Sequence, residues 1–386
     1  MALVTAERVV RPVYDKDHPF PARLIQSARL TDPDSAKDTR HVEFDLAGSG
    51  LTYRPGDSLG IYPANCRDTA LAVMAALGAT GEEPVPSTVD PAVTVPLREA
   101  LHEQRTITLA SARLVERLAA VATSPAEAVE LRGLLSAGIP EGLHVLDLLD
   151  SYPSSRPDPA AFVAALGQLR PRLYSIASSP AAHGPDRVHL TVAAVRFVNT
   201  AGRACHGVAS TYATDRLRPG DVARVYVHSS PKFGLPPDPT ADLVMVGAGT
   251  GVAPFRGFLY ERRATAAPGR NWLFFGSQHR ATDFLYADEL LTFLRDGTLA
   301  QLDLAFSRDQ PHKVYVQHRL LERGADVWAW LNGGTHFRVC GDARMGKDVE
   351  VALKEVVAHH GRMDALAADA FVKQMLRDGR YQRDVY

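Results

Sequence analysis

The stretch Leu243-Val244-Met245-Val246-Gly247-Ala248-Gly249-Thr250-Gly251-Val252-Ala253-Pro254 decides the fold of this chain. An apolar run that breaks into glycines and then opens a helix predicts a strand, a tight turn and a helix N-terminus. Glycines let a backbone approach a diphosphate, and the first helical turn offers it unpaired N–H groups and positive potential. Pro254 suits that first turn, where its missing N–H loses no bond. Val252 stands where the usual dinucleotide fingerprint has its third glycine, so Gly249, Thr250 and Gly251 form a variant of that pattern. A Gly-rich turn without a ligand is the competing reading.

Toward the C-terminus the same grammar repeats. NWLFFGS (271–277) precedes YADELLTFL, LDLAFS (302–307) precedes VQHRLLERG, and HFRVCG (336–341) precedes KDVEVALKEVVAHHG. A strand and a helix in regular alternation predict a doubly wound parallel sheet. Toward the N-terminus the breaker-rich PKFGLPPDPT (231–240) marks a boundary. Before it lie short strand-like runs, ARLIQSARL, HVEFDLAG, DSLGIYPAN, RLYSIAS, RVHLTVAAVRF (187–197) and DVARVYVHS, interrupted by Ala/Leu/Glu-rich helical runs between about 67 and 168. The expected architecture is α/β plus β. An antiparallel β-barrel with a helical insert fills 15–236, and a doubly wound parallel-sheet domain fills 237–386.

A chain of 386 residues is long for one core, and two domains are the default. Hydrophobic residues at 46% and charged residues at 23% suit a globular protein, and a net charge of −1 points to neither nucleic acid nor an anionic membrane. Cys66, Cys205 and Cys340 are odd in number and widely spaced, so neither a disulfide framework nor a metal site is expected. The N-terminal MALVTAERVV runs at once into charged and Pro-containing sequence, and no apolar run reaches the roughly 20 residues of a membrane span. A cytoplasmic location is expected.

Ser307-Arg308-Asp309 ends the third predicted strand of the parallel sheet, with Lys313, Tyr315 and Gln317 just beyond. The carboxyl ends of such strands line the ligand crevice. A hydroxyl, a guanidinium and an ammonium stand where an NAD site would offer a ribose-binding acid, which favours the 2′-phosphate of NADP; a solvated basic loop is the alternative. In the first region Arg172-Leu173-Tyr174-Ser175 reads as a strand, and Gly207-Val208-Ala209-Ser210 precedes a short helix. Together they suggest a second diphosphate site, with Tyr174 able to stack on a ring and Ser175 to donate to it. A buried tyrosine with an ion-paired arginine explains the first motif equally well.

In order, RLYSIASS, GVAS, GAGTGVAPFRGF, FFGSQHRATDFLY, SRDQPHKVYVQ, VCGDARM and RYQRDVY resemble the ferredoxin-NADP reductase-like module of the diflavin reductases, nearest to the sulfite reductase flavoproteins. The resemblance runs from about Tyr14 to Tyr386. It implies an FAD-binding barrel and an NADP-binding domain. Arg172, Tyr174 and Ser175 would hold FAD, with Tyr174 against the isoalloxazine and Ser175 near its N5. Thr191, Val192 and Ala193 would meet the flavin through backbone groups, Phe197 would lie near the adenine, and Gly207, Val208, Ala209 and Ser210 would bind the diphosphate. Thr250, Ser307, Arg308, Lys313, Tyr315 and Gln317 would contact NADPH, with Arg280 beside them and Asp342 among the cofactor residues.

The resemblance further implies that Ser175, Cys340 and Asp384 surround the site of hydride transfer, under the terminal Tyr386. A buried hydrophobe is the other reading of Cys340 alone, and a solvated or core-packed end the other reading of the tail. Two departures stand out. The loop VCGDARMGKDV is one residue shorter than usual, with Gly346 in place of the customary alanine, which predicts a reshaped nicotinamide-side loop. No flavodoxin region precedes the barrel, so no FMN site is expected here, and electrons would pass to a separate acceptor protein. That partner would be a sulfite reductase haem subunit or a flavodoxin-like carrier.

Overall fold

The structure, a computed structural model, describes residues 14–90 and 92–386; the expectation about the N-terminal MALVTAERVV therefore concerns residues outside the described ones. The chain divides into two compact units. One takes the described residues up to Gly60 with Leu173–Ala193 and Arg218–Tyr386, and the other takes Ile61–Arg172 and Ala194–Leu217.

The first unit carries two sheets. Strands β1 (Phe20–Arg29), β2 (Thr39–Asp45) and β3 (Ser58–Tyr62) precede the insert, whose own small hairpin is β4 (Pro84–Pro86) and β5 (Thr94–Pro96). After the insert come β6 (Arg172–Ser175), β7 (Arg187–Ala193), the hairpin β8 (Arg196–Val198) and β9 (Ala204–His206), and β10 (Val222–His228). The six-stranded sheet runs β6-β3-β10-β1-β2-β7. Its outer strands approach each other through an Ile176–Leu190 bridge and an Ala177 N–H bond to His189 O, which curls the sheet toward the expected barrel.

The second sheet is parallel and runs β13 (Gln301–Phe306), β12 (Asn271–Ser277), β11 (Leu243–Ala248), β14 (His336–Gly341) and β15 (Tyr381–Val385). Alternate residues point to opposite faces of a strand. Accordingly Val244, Val246, Trp272 and Phe274 join one buried cluster, while Leu243, Met245, Leu273 and Phe275 join another. Both faces are covered, as a doubly wound sheet requires. Phe274 is fully buried. Phe274→Ala should lower unfolding free energy by about 3–5 kcal/mol, measured by urea denaturation.

The second unit has its own core, with Leu101, Leu114, Leu118, Leu131, Leu149 and Phe162 packed together. Its helices start where the sequence signals them. The Ser111 and Ser124 hydroxyls and the Asp158 carboxylate accept N–H bonds at helix starts, the latter two followed by proline in the first turn. One strand differs from expectation. The run 187–197 breaks after Ala193, because the Val195 N–H donates to Ser210 Oγ and its carbonyl accepts from Gly207 N, turning the backbone toward 207–210. Among the described residues no helix is long and apolar enough to cross a membrane.

Candidate functional site

The glycines after β11 do different jobs. Gly249 has a left-handed φ of 55°, and a Cβ there would meet nothing within 4 Å. It is the glycine that leaves open space at the turn. Gly251 is glycine because a Cβ would strike the Cys340 carbonyl, and one on Gly247 would reach Gly251 O and Phe255 at 2.8 Å. Those two let protein approach protein, which differs from the expectation that all of them serve a ligand. Val252 is fully buried in the core, so it closes the turn by packing where a third glycine would leave a gap. The helix Ala253–Ala264 follows, with Pro254 in its first turn.

The end of β11 lies beside the end of β14, and β14 pairs in parallel with the C-terminal strand. Cys340 stands opposite Asp384 in that register. The tail is thus a hydrogen-bonded strand of the sheet, which the sequence presented only as a docked end. Ser175, 209 positions before Asp384, donates its hydroxyl to Asp384 Oδ2 at 2.7 Å. The Cys340 thiol donates to the same oxygen at 3.8 Å. Burial and the Asp384 charge push that thiol well above its ordinary pKa, so it is a neutral donor and no nucleophile. Two residues from distant segments thus donate to the carboxylate of a third.

Tyr386 continues past this point. Its N–H donates to Gly341 O at 3.1 Å, its carbonyl accepts from Ala343 N at 3.2 Å, and its phenol lies 2.8 Å from the Thr250 hydroxyl. With 55% of its surface exposed, the ring is held by hydrogen bonds and not by burial. Asp342, expected among cofactor residues, caps the helix Ala343–His360 by accepting from Arg344 N and Met345 N. The short loop there is only a strand end at Gly341 followed directly by that cap.

At the carboxyl ends of β12 and β13, Ser307 is buried and donates to Ser277 O at 3.2 Å. Arg308, Lys313 and Tyr315 are exposed around it. Asp309 is engaged by the Arg280 N–H at 2.9 Å and by His279 Nδ1 at 3.0 Å, while the Arg280 guanidinium sits over Phe284 and Phe306. Gln317 reaches Asp348 at 3.5 Å, and its buried Oε1 has no partner among the described residues. An orphaned acceptor, two exposed cations and an open glycine turn suit an anionic nucleotide.

On the barrel, Tyr174 and Ser175 are half-buried in β6. Thr191, Val192 and Ala193 lie on β7, an outer strand whose far side no strand pairs beyond the 190 bridge among the described residues. That edge leaves backbone groups for a ligand. In the second unit, Arg172 and Phe197 are exposed, and the helix after Gly207 begins at Val208. The Ser210 hydroxyl is already occupied by Val195 N–H and Gly207 O, so Gly207, Val208 and Ala209 have only backbone to offer a diphosphate beside it.

Comparison with known proteins fits this division of labour. The family described as FAD binding domain matches residues 12–212. The chain belongs to that FAD-binding family. A second family, described as oxidoreductase NAD-binding domain, matches residues 245–351. The FAD-binding match contains Arg172, Ser175 and Gly207, and the NAD-binding match contains Thr250, Arg308 and Cys340. The chain is 43% identical to the sulfite reductase [NADPH] flavoprotein alpha-component of Bacillus subtilis (strain 168) over 97% of its own length and 62% of the relative's. The proteins of that name from Escherichia coli (strain K12) and Citrobacter koseri are also 43% identical, with 62% and 61% of their lengths covered. The FAD-binding chain thus spans about three fifths of the curated relatives it matches.

Sequence reasoning missed what joins its two sheets. Arg256, 5% exposed, ion-pairs with Glu289 at 2.7 Å, donates to Ala177 O at 2.8 Å and lies 3.2 Å from His189 Nδ1. A guanidinium only donates, so His189 Nδ1 accepts and its Nε2 carries the proton, facing Glu43 at 3.7 Å. Tyr286 bonds both His41 and Thr191. The donor atoms of His41, Glu43 and His189 gather within 4.8 Å, but Glu43 already holds Arg187 and Gln26. The available signal was Arg256 within the apolar PFRGF of a buried helix.

Burial first, and then Arg256, lowers His41 to about 4; burial and the neighbouring histidines lower His189 to about 2. Both are neutral in the fold and take up protons in the unfolded chain below its value near 6.5. Their contribution is therefore complete above about 6.5 and is lost as pH falls toward 4 and below. Tm should drop between pH 7 and pH 4.5, and His189→Gln should flatten that drop. An unchanged slope would remove His189 from the account.

Proposed function

We propose that this chain is an NADPH-dependent flavoprotein reductase that takes hydride from NADPH and passes electrons to a separate protein. The observation that carries the reading is the convergence of Ser175 and Cys340 on the Asp384 carboxylate beside the nucleotide loop. When bound, FAD supplies the hydride acceptor and the onward release of electrons. The protein supplies proximity, orientation and charge. Asp384, fixed by two donors, holds negative charge where positive charge grows on a nicotinamide. Ser175 and Cys340 keep that carboxylate in one orientation as a neutral hydroxyl and a neutral thiol that donate to it. The Thr250–Tyr386 bond keeps the terminal ring over the approach that nicotinamide takes. Arg308 and Lys313 receive the 2′-phosphate, and Ser307, Tyr315 and Gln317 complete the ribose and adenine side.

The test is direct. The purified protein should show a flavin spectrum that NADPH bleaches, with ferricyanide reduction in turnover. Flavin that stays oxidised under excess NADPH would end the enzyme reading. The name of the relatives favours a sulfite reductase system as acceptor, whether its haem subunit or a flavodoxin-like carrier. Reconstitution with each candidate should give NADPH-dependent electron delivery to one of them. A free-standing flavodoxin or ferredoxin reductase, or a donor to another reductase such as one for nitrate, is what delivery only to those partners would indicate.

Deleting Tyr386 removes the phenol from Thr250 and opens the approach. NADH use should rise by about tenfold, the equivalent of one hydrogen bond of 1.4 kcal/mol, read as kcat/KM. Unaltered selectivity would make Tyr386 a solvated end with no part in nucleotide choice.

A further inference from the structure

The breaker-rich stretch between β10 and β11 has the composition of a loose connection, yet Gly234 within it is bonded through both its N–H and its carbonyl. The N–H donates to Gln382 Oε1 at 3.1 Å, and the carbonyl accepts from Arg338 Nε at 2.7 Å. Gln382 stands opposite Arg338 in the register of β15 and β14, as Asp384 stands opposite Cys340 two residues on. Side chains two apart on a strand share a face. The face that grips Gly234 is therefore the face that carries the candidate site. Arg338 is fully buried, and among the described residues no carboxylate pairs with it. It also donates to Arg380 O at 2.9 Å, where the tail enters the sheet. A buried cation held by carbonyls adds little stability over an apolar side chain of like volume. What it adds is a fixed position for the linker carbonyl against the start of the tail.

The other flank of the linker is bonded to the antiparallel sheet. Ser230 N donates to Asp57 Oδ1 at 2.8 Å, and a Cβ on Gly56 would strike the Phe233 carbonyl. The Asp57 carbonyl accepts at 3.0 Å from the N–H of Ile176, the residue after Ser175. Residues 230–234 thus bridge the strand that carries Ser175 and the strand that carries Asp384. We infer that Gln382, with Arg338 opposite it, is a positioning residue for hydride transfer: by gripping Gly234 it sets where Ser175 meets Asp384. Those two side chains belong to different sheets, and their 2.7 Å bond tolerates little drift between them. The consequence for hydride transfer rests on the reductase reading; the grip on Gly234 does not.

The experiment uses the full chain as Gln382→Met, Gln382→Glu, Arg338→Met and the double methionine variant. Gln382→Met keeps the length of the side chain and removes the acceptor. It should slow the limiting rate of flavin reduction by NADPH roughly tenfold, since a shift of about 1 Å suffices for such losses. FAD content and affinity for NADP+ should be unchanged. Gln382→Glu keeps an acceptor oxygen for the Gly234 N–H and should restore most of the rate. Because both residues act through Gly234, the double variant should be slowed by much less than the product of the two single effects. Amide hydrogen exchange should speed up at Gly234 and Ile176 in Gln382→Met and stay slow in Gln382→Glu. An unchanged rate in Gln382→Met would overturn the inference, as would loss of FAD from it, a Gln382→Glu variant equally slow, or faster exchange confined to Gly234. If Arg338→Met does not fold, the two Gln382 variants still decide. If NADPH fails to reduce the wild-type flavin, the reductase reading falls, and exchange at Gly234 and Ile176 still decides whether the grip reaches both sheets.

Discussion

Arg308→Ala is expected to lower the NADPH/NADH ratio of kcat/KM by an order of magnitude or more. The guanidinium is exposed at the end of β13, and its loop keeps no acid for a ribose hydroxyl, because Asp309 is taken by the Arg280 N–H and by His279. A charge-assisted hydrogen bond contributes about 1.5–3 kcal/mol, and about 1.4 kcal/mol is tenfold. Lys313 remains in the variant, so NADPH preference should shrink without reversing. The loss should appear mostly in KM for NADPH, with NADH kinetics little altered. Steady-state kinetics with both nucleotides check this, and an equal ratio in wild type and variant would remove the 2′-phosphate assignment.

Cys340→Ala should slow flavin reduction roughly ten- to hundredfold, the range expected when a reacting group loses its alignment. The thiol is fully buried and held neutral, and in the proposed reading its part is to orient Asp384 from the β14 side while Ser175 orients it from β6. Removing it leaves a small void and one donor fewer, and the carboxylate gains freedom. FAD content should stay intact. Rapid-mixing measurement of flavin bleaching is the readout; loss of the flavin itself would mark Cys340 as a packing residue.

Much of the fold was legible because period and punctuation are local. Alternation of strand and helix after residue 240 and the Ser-Pro and Asp-Pro helix starts in the insert act within a few residues. Where non-local bonds intervene, local reading failed. The run 187–197 has strand composition throughout, yet Val195 is claimed by Ser210 and Gly207. Tyr381–Val385 is too short and too charged to announce itself, and becomes a strand because β14 presents an edge for it.

The candidate site divides in the same way. The sequence by itself determined which residue types were present and in what order: a glycine turn before a helix, cations after a strand, a cysteine at a strand end and a tail with a carboxylate and a terminal ring. Those are properties of short segments, and their chemistry is carried by composition and spacing. Only the tertiary structure decided that the Ser175 and Cys340 donors meet at one Asp384 oxygen, and that Gly249 alone of the loop glycines faces open space. Such meetings depend on strand register and on the packing of one segment against another, and close packing is settled by atoms far apart in the chain.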